Sequence, residues 1–385
     1  MPCKWHTGGF TYYYRQQALR HAGGDVSKIT FEQEGIEKFD ALNWRREPGK
    51  DWGMMLRERA QQLRDSHQYI RLFYSGGCDS HTMLMAFVNN QIWPDEIVLI
   101  RMSLDNSMDG VINREVNDGA IGYLNKIRSQ GILPNSVKVN IYDIPAERWY
   151  QFLKKNYAGD NIRETDIVEV ELRVPQGKWE GCIPELWNNM TSDRCADIVG
   201  FDKIRPTRWQ NGIIYEPGSK PGWYLTVTDE SWTQYEISDI HNGLTKAFYI
   251  SADYPELVVK AAHMNKRYLR KKLGNNVTND EVHAYYNNMK HPASISIEND
   301  KIRDRFYGVT RNLYSQQFTL GKYIDPDGIR VWDKIMRAET SPDNKILKLY
   351  DGFMKEHNNE LFKYQGMHGN TWGEHIYVRH YYLGD

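Results

Sequence analysis

Residues Tyr69–Ser80 read Tyr-Ile-Arg-Leu-Phe-Tyr-Ser-Gly-Gly-Cys-Asp-Ser, an apolar, β-forming run that halts at two glycines. A helical pattern follows at once, with Met83, Leu84, Met85, Phe87 and Val88 supplying its apolar face. Asp79 and Ser80 fall in the first helical turn. A strand, a glycine turn and a helix N-terminus in this order make a site for an anion. Glycines let backbone N–H groups approach phosphate oxygens, and the helix dipole adds about half a positive charge there. The pattern is not a Walker loop, because Gly-x-x-x-x-Gly-Lys-Ser/Thr is absent.

The alternation continues downstream. Glu96-Ile-Val-Leu-Ile-Arg101 predicts a second strand, entered through Trp93-Pro94-Asp95. A helix over about 110–130, stopped by Gly131, leads to a third strand at Val137–Tyr142. Strand and helix alternating at this spacing predict an α/β fold with a doubly wound parallel sheet. Ligands of such sheets bind at the carboxyl ends of the strands, which is where Ser75–Ser80 falls.

Length and composition narrow the class. A chain of 385 residues exceeds one ordinary compact domain, and 40% hydrophobic content supports a real core. The net charge of −1 argues against a surface coated with nucleic acid, though a local basic patch remains compatible with it. The four cysteines (Cys3, Cys78, Cys182, Cys195) have no close pair, so neither a disulfide framework nor a zinc knuckle is expected. No long apolar segment or apolar leader is visible, and a cytoplasmic protein without a membrane partner is expected. The 25 Tyr and 12 Trp suit base stacking, but more commonly they fill cores.

The pattern divides the chain into four parts. Residues 1–66 form an N-terminal extension with helices expected at Tyr12–His21 and Trp52–Ser66. Residues 67–207 form the α/β domain, 208–250 a β-rich insert, and 251–385 a mainly helical C-terminal region beginning with a strong helix at Pro255–Leu273. Further helices are expected at Trp149–Asn156 and near Pro184–Met190. Short strands are expected to end at Asp197–Gly200 and to cover Gly212–Tyr215, Trp223–Val227 and Trp232–Tyr235.

Ser75, Gly76, Gly77, Asp79 and Ser80 match all five defining positions of Ser-Gly-Gly-x-Asp-Ser, with Cys78 at the variable one. The segment resembles the PP-loop of the ATP pyrophosphatases (adenine nucleotide alpha hydrolase-like, with a HUP-like sheet). That family includes the synthetase domains of asparagine, GMP and argininosuccinate synthetases, NAD synthetase and several tRNA-modifying enzymes. The resemblance implies that ATP binds through Ser75, Gly76, Gly77, Cys78, Asp79 and Ser80. It also implies cleavage between the α and β phosphates, giving an adenylated substrate and pyrophosphate.

Val199-Gly200-Phe201-Asp202-Lys203 is similar to the Gly-x-Asp turn that faces the loop in the asparagine-synthetase branch. The likeness implies a cofactor contact at Gly200, a Mg²⁺ ion shared by Asp79 and Asp202, and Lys203 neutralising the departing pyrophosphate. Asp79 and Lys203 are thus the expected catalytic groups; a solvated surface turn is the plain reading of the same residues. Met102, after the second strand, is expected either to wall the adenine pocket, as in that family, or to pack in the core. His81, just after the motif, is expected to face solvent, with a phosphate contact as the alternative. Lys246–His263 is similar to a stretch of PP-loop proteins carried by bacteriophages, which would place the protein in the host cytoplasm.

Within the family, the cysteine pattern argues against two branches. Sulfonucleotide reductases need a cysteine near the C-terminus, and none follows Cys195. Thiolating tRNA enzymes usually need clustered cysteines. Residues 1–66 are too short for a glutaminase domain, and Cys3 follows Pro2. The expected activity is therefore adenylation of a carboxyl, amide or carbonyl oxygen of an unidentified acceptor, followed by transfer of an amine or ammonia. The contrasting readings are a tRNA- or DNA-modifying enzyme and a non-catalytic nucleotide- or nucleic-acid-binding module. The basic residues Lys260, Lys266, Arg267, Arg270, Lys271 and Lys272 on one predicted helix are where nucleic acid would bind. The oligomeric state is left open.

Overall fold

The computed structural model describes residues 4–12, 18, 21–23, 25–33, 35–103, 115–145, 194–200, 204–213, 216–228, 245–282 and 378–385. The expected helices at 149–156 and 184–190 and the strand at 232–235 lie outside these residues.

The centre is a five-stranded, all-parallel sheet of β4 (Tyr69–Phe73), β5 (Glu96–Ser103), β6 (Lys138–Pro145), β7 (Cys195–Val199) and β10 (Thr245–Ala247). Its spatial order is β10-β7-β4-β5-β6. The chain therefore winds outward from β4 through β5 to β6, then returns to the other side of β4 for β7 and β10. Ile70, Leu72, Ile97, Leu99, Ala196 and Ile198 are fully buried, as suits a parallel sheet. Arg71 and Asp197 stand opposite each other on β4 and β7, buried, with Nε–Oδ1 at 2.6 Å and Nη2–Oδ2 at 2.8 Å. A pair this deep is tolerated because each charge meets its counterion with two-pronged geometry.

Helix α2 (Trp52–Ser66) has the bounds read from the sequence and starts where the Asp51 carboxylate accepts from the Met54 N–H. It packs on α3 (Cys78–Val88) and on α5 (Glu256–Leu273). The helix expected over 110–130 is resolved into a π-helical turn, Glu115–Ile121, running into α4 (Gly122–Ser129); residues 104–114 lie outside the described part.

The N-terminal extension combines helix with strand: Trp52–Ser66 is helical, and Ala18 and His21, within the expected Tyr12–His21 helix, are helical as well. Strands β1 (Lys4–Thr7), β2 (Phe10–Tyr12) and β3 (Thr30–Glu32) form a small antiparallel sheet, followed by the short helix α1 (Ile36–Asp40). Tyr12, expected to open a helix, instead ends β2 opposite Trp5. Gly8 and Gly9 both have positive φ, which allows the tight β1–β2 reversal that other residues resist. A second antiparallel sheet joins β8 (Pro206–Trp209), β9 (Gly222–Thr228) and β11 (Val378–Gly384). The expected strand at Trp223–Val227 is present within β9. Gly212 forms only an isolated bridge with Gln210. The C-terminal region contributes both α5 and β11, and β11 pairs with the insert's β9.

Candidate functional site

The order of the five strands places a topological switch point between β4 and β7, and the crevice beyond their carboxyl ends is where open α/β sheets bind ligands. Ser75–Ser80 leaves β4 at that point, and Gly200 leaves β7. The two meet. A Cβ on Gly200 would stand 3.1 Å from the Ser80 Cα, 3.2 Å from the Asp79 carbonyl oxygen and 3.1 Å from the Met83 Cβ. The sequence-based association of Gly200 with the loop is thus a direct packing contact.

The two loop glycines have separate duties. Gly76 has φ of 84°, a left-handed conformation that side chains resist. Gly77 has φ of −71° and ψ of 163°, which any residue can adopt; its value lies in having no side chain at the N-cap of α3. Gly77 has no side chain to cap the first turn, its own N–H donates to the Ser75 Oγ at 3.3 Å, and the positive end of the helix faces the loop. Ser75 and Ser80 fasten the loop across its base. Their hydroxyls are 3.0 Å apart, the Ser75 N–H donates to the Ser80 Oγ, and the Ser80 hydroxyl donates to the Gly77 carbonyl. Asp79 is half-buried, and Cys78 supplies the first backbone unit of α3.

Beside the loop, β5 and β6 run on past the end of β4. Phe73 pairs with Val98, whereas the β5–β6 ladder continues from Leu99 to Ser103 opposite Ile141 to Pro145. At roughly 3.3 Å per residue this overhang rises about 16 Å above the floor on which the loop sits. The Met102 backbone lies in that wall, opposite Ile144. Arg101 holds Asp143 through two bonds of 2.7 and 2.8 Å and reaches Asn117 on the π-helical turn.

Two expectations change and two cannot be placed. His81 does not face solvent: it is 1% exposed, lies 2.9 Å from the Tyr74 hydroxyl through Nδ1, and meets the Tyr123 ring edge-on. The reason is that α3 is buried all round from Ser80 to Val88, so its first turn has no wet face. The basic helix is largely consumed within the protein. Lys260 and Arg267 both pair with Glu47, Lys266 is buried on the carbonyls of Leu383 and Gly384, and Arg270 bonds Asn275 and the Asp385 carbonyl. Lys271 and Lys272 are exposed. Asp202 and Lys203 lie outside the described residues, so the expected Asp79–Asp202 metal pair is placed at one member only. Among the described residues no three His, Cys, Asp or Glu side chains converge as a metal group, and no helix is long and apolar enough to cross a membrane.

No motif points to the support behind the loop. Tyr249, fully buried just past β10, donates its hydroxyl to the Asp79 carbonyl at 2.6 Å. Its ring stacks on Trp52 at 8° between planes. Arg59, 1% exposed on α2, grips the carbonyls of Ala247 and Phe248 at 2.7 and 3.0 Å. The Phe248 N–H donates to the Val199 carbonyl, tying the exit of β10 to the end of β7. A marker for such support existed only in the aromatic density of Lys246–Tyr254.

No family model matches the chain, and no curated protein matches it.

Proposed function

We propose that the protein binds ATP at the Ser75–Ser80 loop and cleaves it to AMP and pyrophosphate while activating a carboxyl, amide or carbonyl acceptor for attack by an amine or ammonia. The observation that carries this reading is the position of the Ser-Gly-Gly-x-Asp-Ser loop at the β4–β7 switch point, with Gly76 left-handed and a glycine at the N-cap of α3 behind it. The glycine backbone of the loop and the Ser75 hydroxyl suit phosphate oxygens, with the Ser80 hydroxyl bracing the loop from within, and the β5–β6 overhang with Met102 offers the nucleoside a wall. Gly200 contributes by letting β7 close on the loop. Asp79, with Asp202, would hold Mg²⁺, which supplies charge neutralisation on the departing pyrophosphate; Lys203 would add a second positive charge. Positioning and charge account for such chemistry without an acid–base triad.

The nucleic-acid reading draws less support, because four of the six α5 cations already have acceptors in the chain. Calorimetry with ATP tests the site. Gly77→Val keeps an allowed backbone and should abolish binding by filling the loop. Gly76→Ala should weaken binding through left-handed strain of about 1–2 kcal/mol. With candidate acceptors, labelled ATP should give AMP and pyrophosphate. Unchanged affinity in a folded Gly77→Val protein, or ADP as the main product, would overturn the reading.

A further inference from the structure

Behind the loop lies a chain of contacts that packing alone does not explain. Arg59 fixes two carbonyls at the exit of β10, Trp52 backs the next ring, and that ring's hydroxyl ends 2.6 Å from the carbonyl of Asp79. The carbonyl belongs to the first turn of α3, 170 positions away in sequence. Resting on the ATP reading, we propose that Tyr249 is a positioning residue that aims the backbone of the loop at the phosphates.

The argument follows from peptide geometry. The Asp79–Ser80 peptide is planar and trans, as no described peptide bond is cis, so the Asp79 C=O and the Ser80 N–H point in opposite directions from one rigid plate. A hydroxyl that holds the carbonyl therefore sets the direction of the Ser80 N–H, which points toward the open N-terminal end of the helix. Carbonyls in a first turn already accept from the next turn, and they can tilt. A second donor, immobilised by stacking on Trp52 and by the Arg59 grip, restricts that tilt. Gly200 presses on the same peptide from β7, with the Asp79 carbonyl oxygen 3.2 Å from where its Cβ would be. One plate is thus held from two neighbouring strands of the sheet. A donor aimed before the ligand arrives costs no reorganisation when charge appears. This gives a role to Tyr249 within the Lys246–His263 stretch, which the ATP reading otherwise leaves unused.

Tyr249→Phe removes one oxygen and leaves the ring stack intact. Its control is Tyr224→Phe, which deletes a hydroxyl donating at the same 2.6 Å to a backbone carbonyl, that of Lys220, in the antiparallel sheet. Both proteins are titrated with ATP and with inorganic pyrophosphate, and their thermal midpoints are recorded. The expected result is an affinity for both ligands about tenfold weaker in Tyr249→Phe, the scale of one hydrogen bond to a charged group, with Tyr224→Phe binding as wild type. If Tyr249→Phe binds both ligands like wild type, or no more weakly than Tyr224→Phe, the positioning role is wrong while the ATP site stands. If the wild-type protein binds neither ligand, the ATP site and the role of Tyr249 fall together.

Discussion

Gly200→Ala places a methyl group against the first turn of α3, where it would meet the Ser80 Cα and the Met83 Cβ at 3.1 Å and the Asp79 oxygen at 3.2 Å. Favourable contact between carbon atoms begins near 3.5 Å. The helix must therefore withdraw by a few tenths of an ångström at three points, two of them backbone that cannot swing aside. Burying a methyl returns about 0.8 kcal/mol, whereas overpacking a tight interior costs about 1–3 kcal/mol. The net expectation is a loss of about 1–2 kcal/mol in stability. The displacement also lands on Asp79 and Ser80, so the ATP dissociation constant should rise about tenfold, as for one misaligned charge-assisted hydrogen bond. Urea denaturation measures the first quantity and calorimetry the second. Gly49→Ala is the matched control: nothing lies within 4 Å of its Cβ position, and the same assays should show no loss. A Gly200→Ala protein as stable as wild type, with equal ATP affinity, would refute the close approach of β7 to the loop.

Two further outcomes concern buried charge. Asp197→Asn leaves the Arg71 guanidinium without its counterion in the sheet interior and should cost about 3–5 kcal/mol in chemical denaturation; a loss under 1 kcal/mol would contradict the buried pairing. Lys266 has its pKa pulled from 10.5 to about 8 by burial first, then by the nearby Arg270 and Arg208 charges. The folded protein thus releases this proton before the unfolded chain does, so the penalty is present below pH 8 and relieved between about pH 8 and 10.5. Wild-type stability should rise by about 3 kcal/mol over that window relative to Lys266→Met, as measured by urea midpoints. Parallel pH profiles for the two proteins would show that Lys266 titrates normally.

Four strands of the central sheet were legible because their signals are local, whereas β10 (Thr245–Ala247), three residues within the expected β-rich insert, joins the sheet through pairing with β7 that no local pattern records. β4 ends at its glycines, β5 starts after Trp93-Pro94-Asp95, and α2 begins at an aspartate cap, all within a few residues. The small sheets were harder. Gly8-Gly9 between Lys4–Thr7 and Phe10–Tyr12 is a hairpin signal, but strands of four and three residues carry too few alternations to outweigh a helical reading of the residues that follow. His81 was misread because its exposure depends on what covers α3, which no local pattern records. The sequence singles out the loop residues as a group, but the difference between Gly76 and Gly77 is a matter of φ, and identical letters hide it. Tyr249 was invisible for another reason: its partner is a carbonyl, and every residue has one.

The pairing of β11 with β9 has a kinetic consequence. Thr226 and His380 face each other across this ladder, 154 positions apart, so the β8–β9 hairpin gains its third strand only after a very long loop closes. Loop-closure entropy grows only logarithmically, so the penalty in equilibrium stability is modest. The rate is more sensitive, because distant contacts must be found before they stabilise anything. During synthesis the ribosome delivers β4, β5, β6 and β7 long before β11. The Ser75–Ser80 loop can therefore take shape on its parallel sheet while one edge of the β8–β9 hairpin still awaits its neighbour.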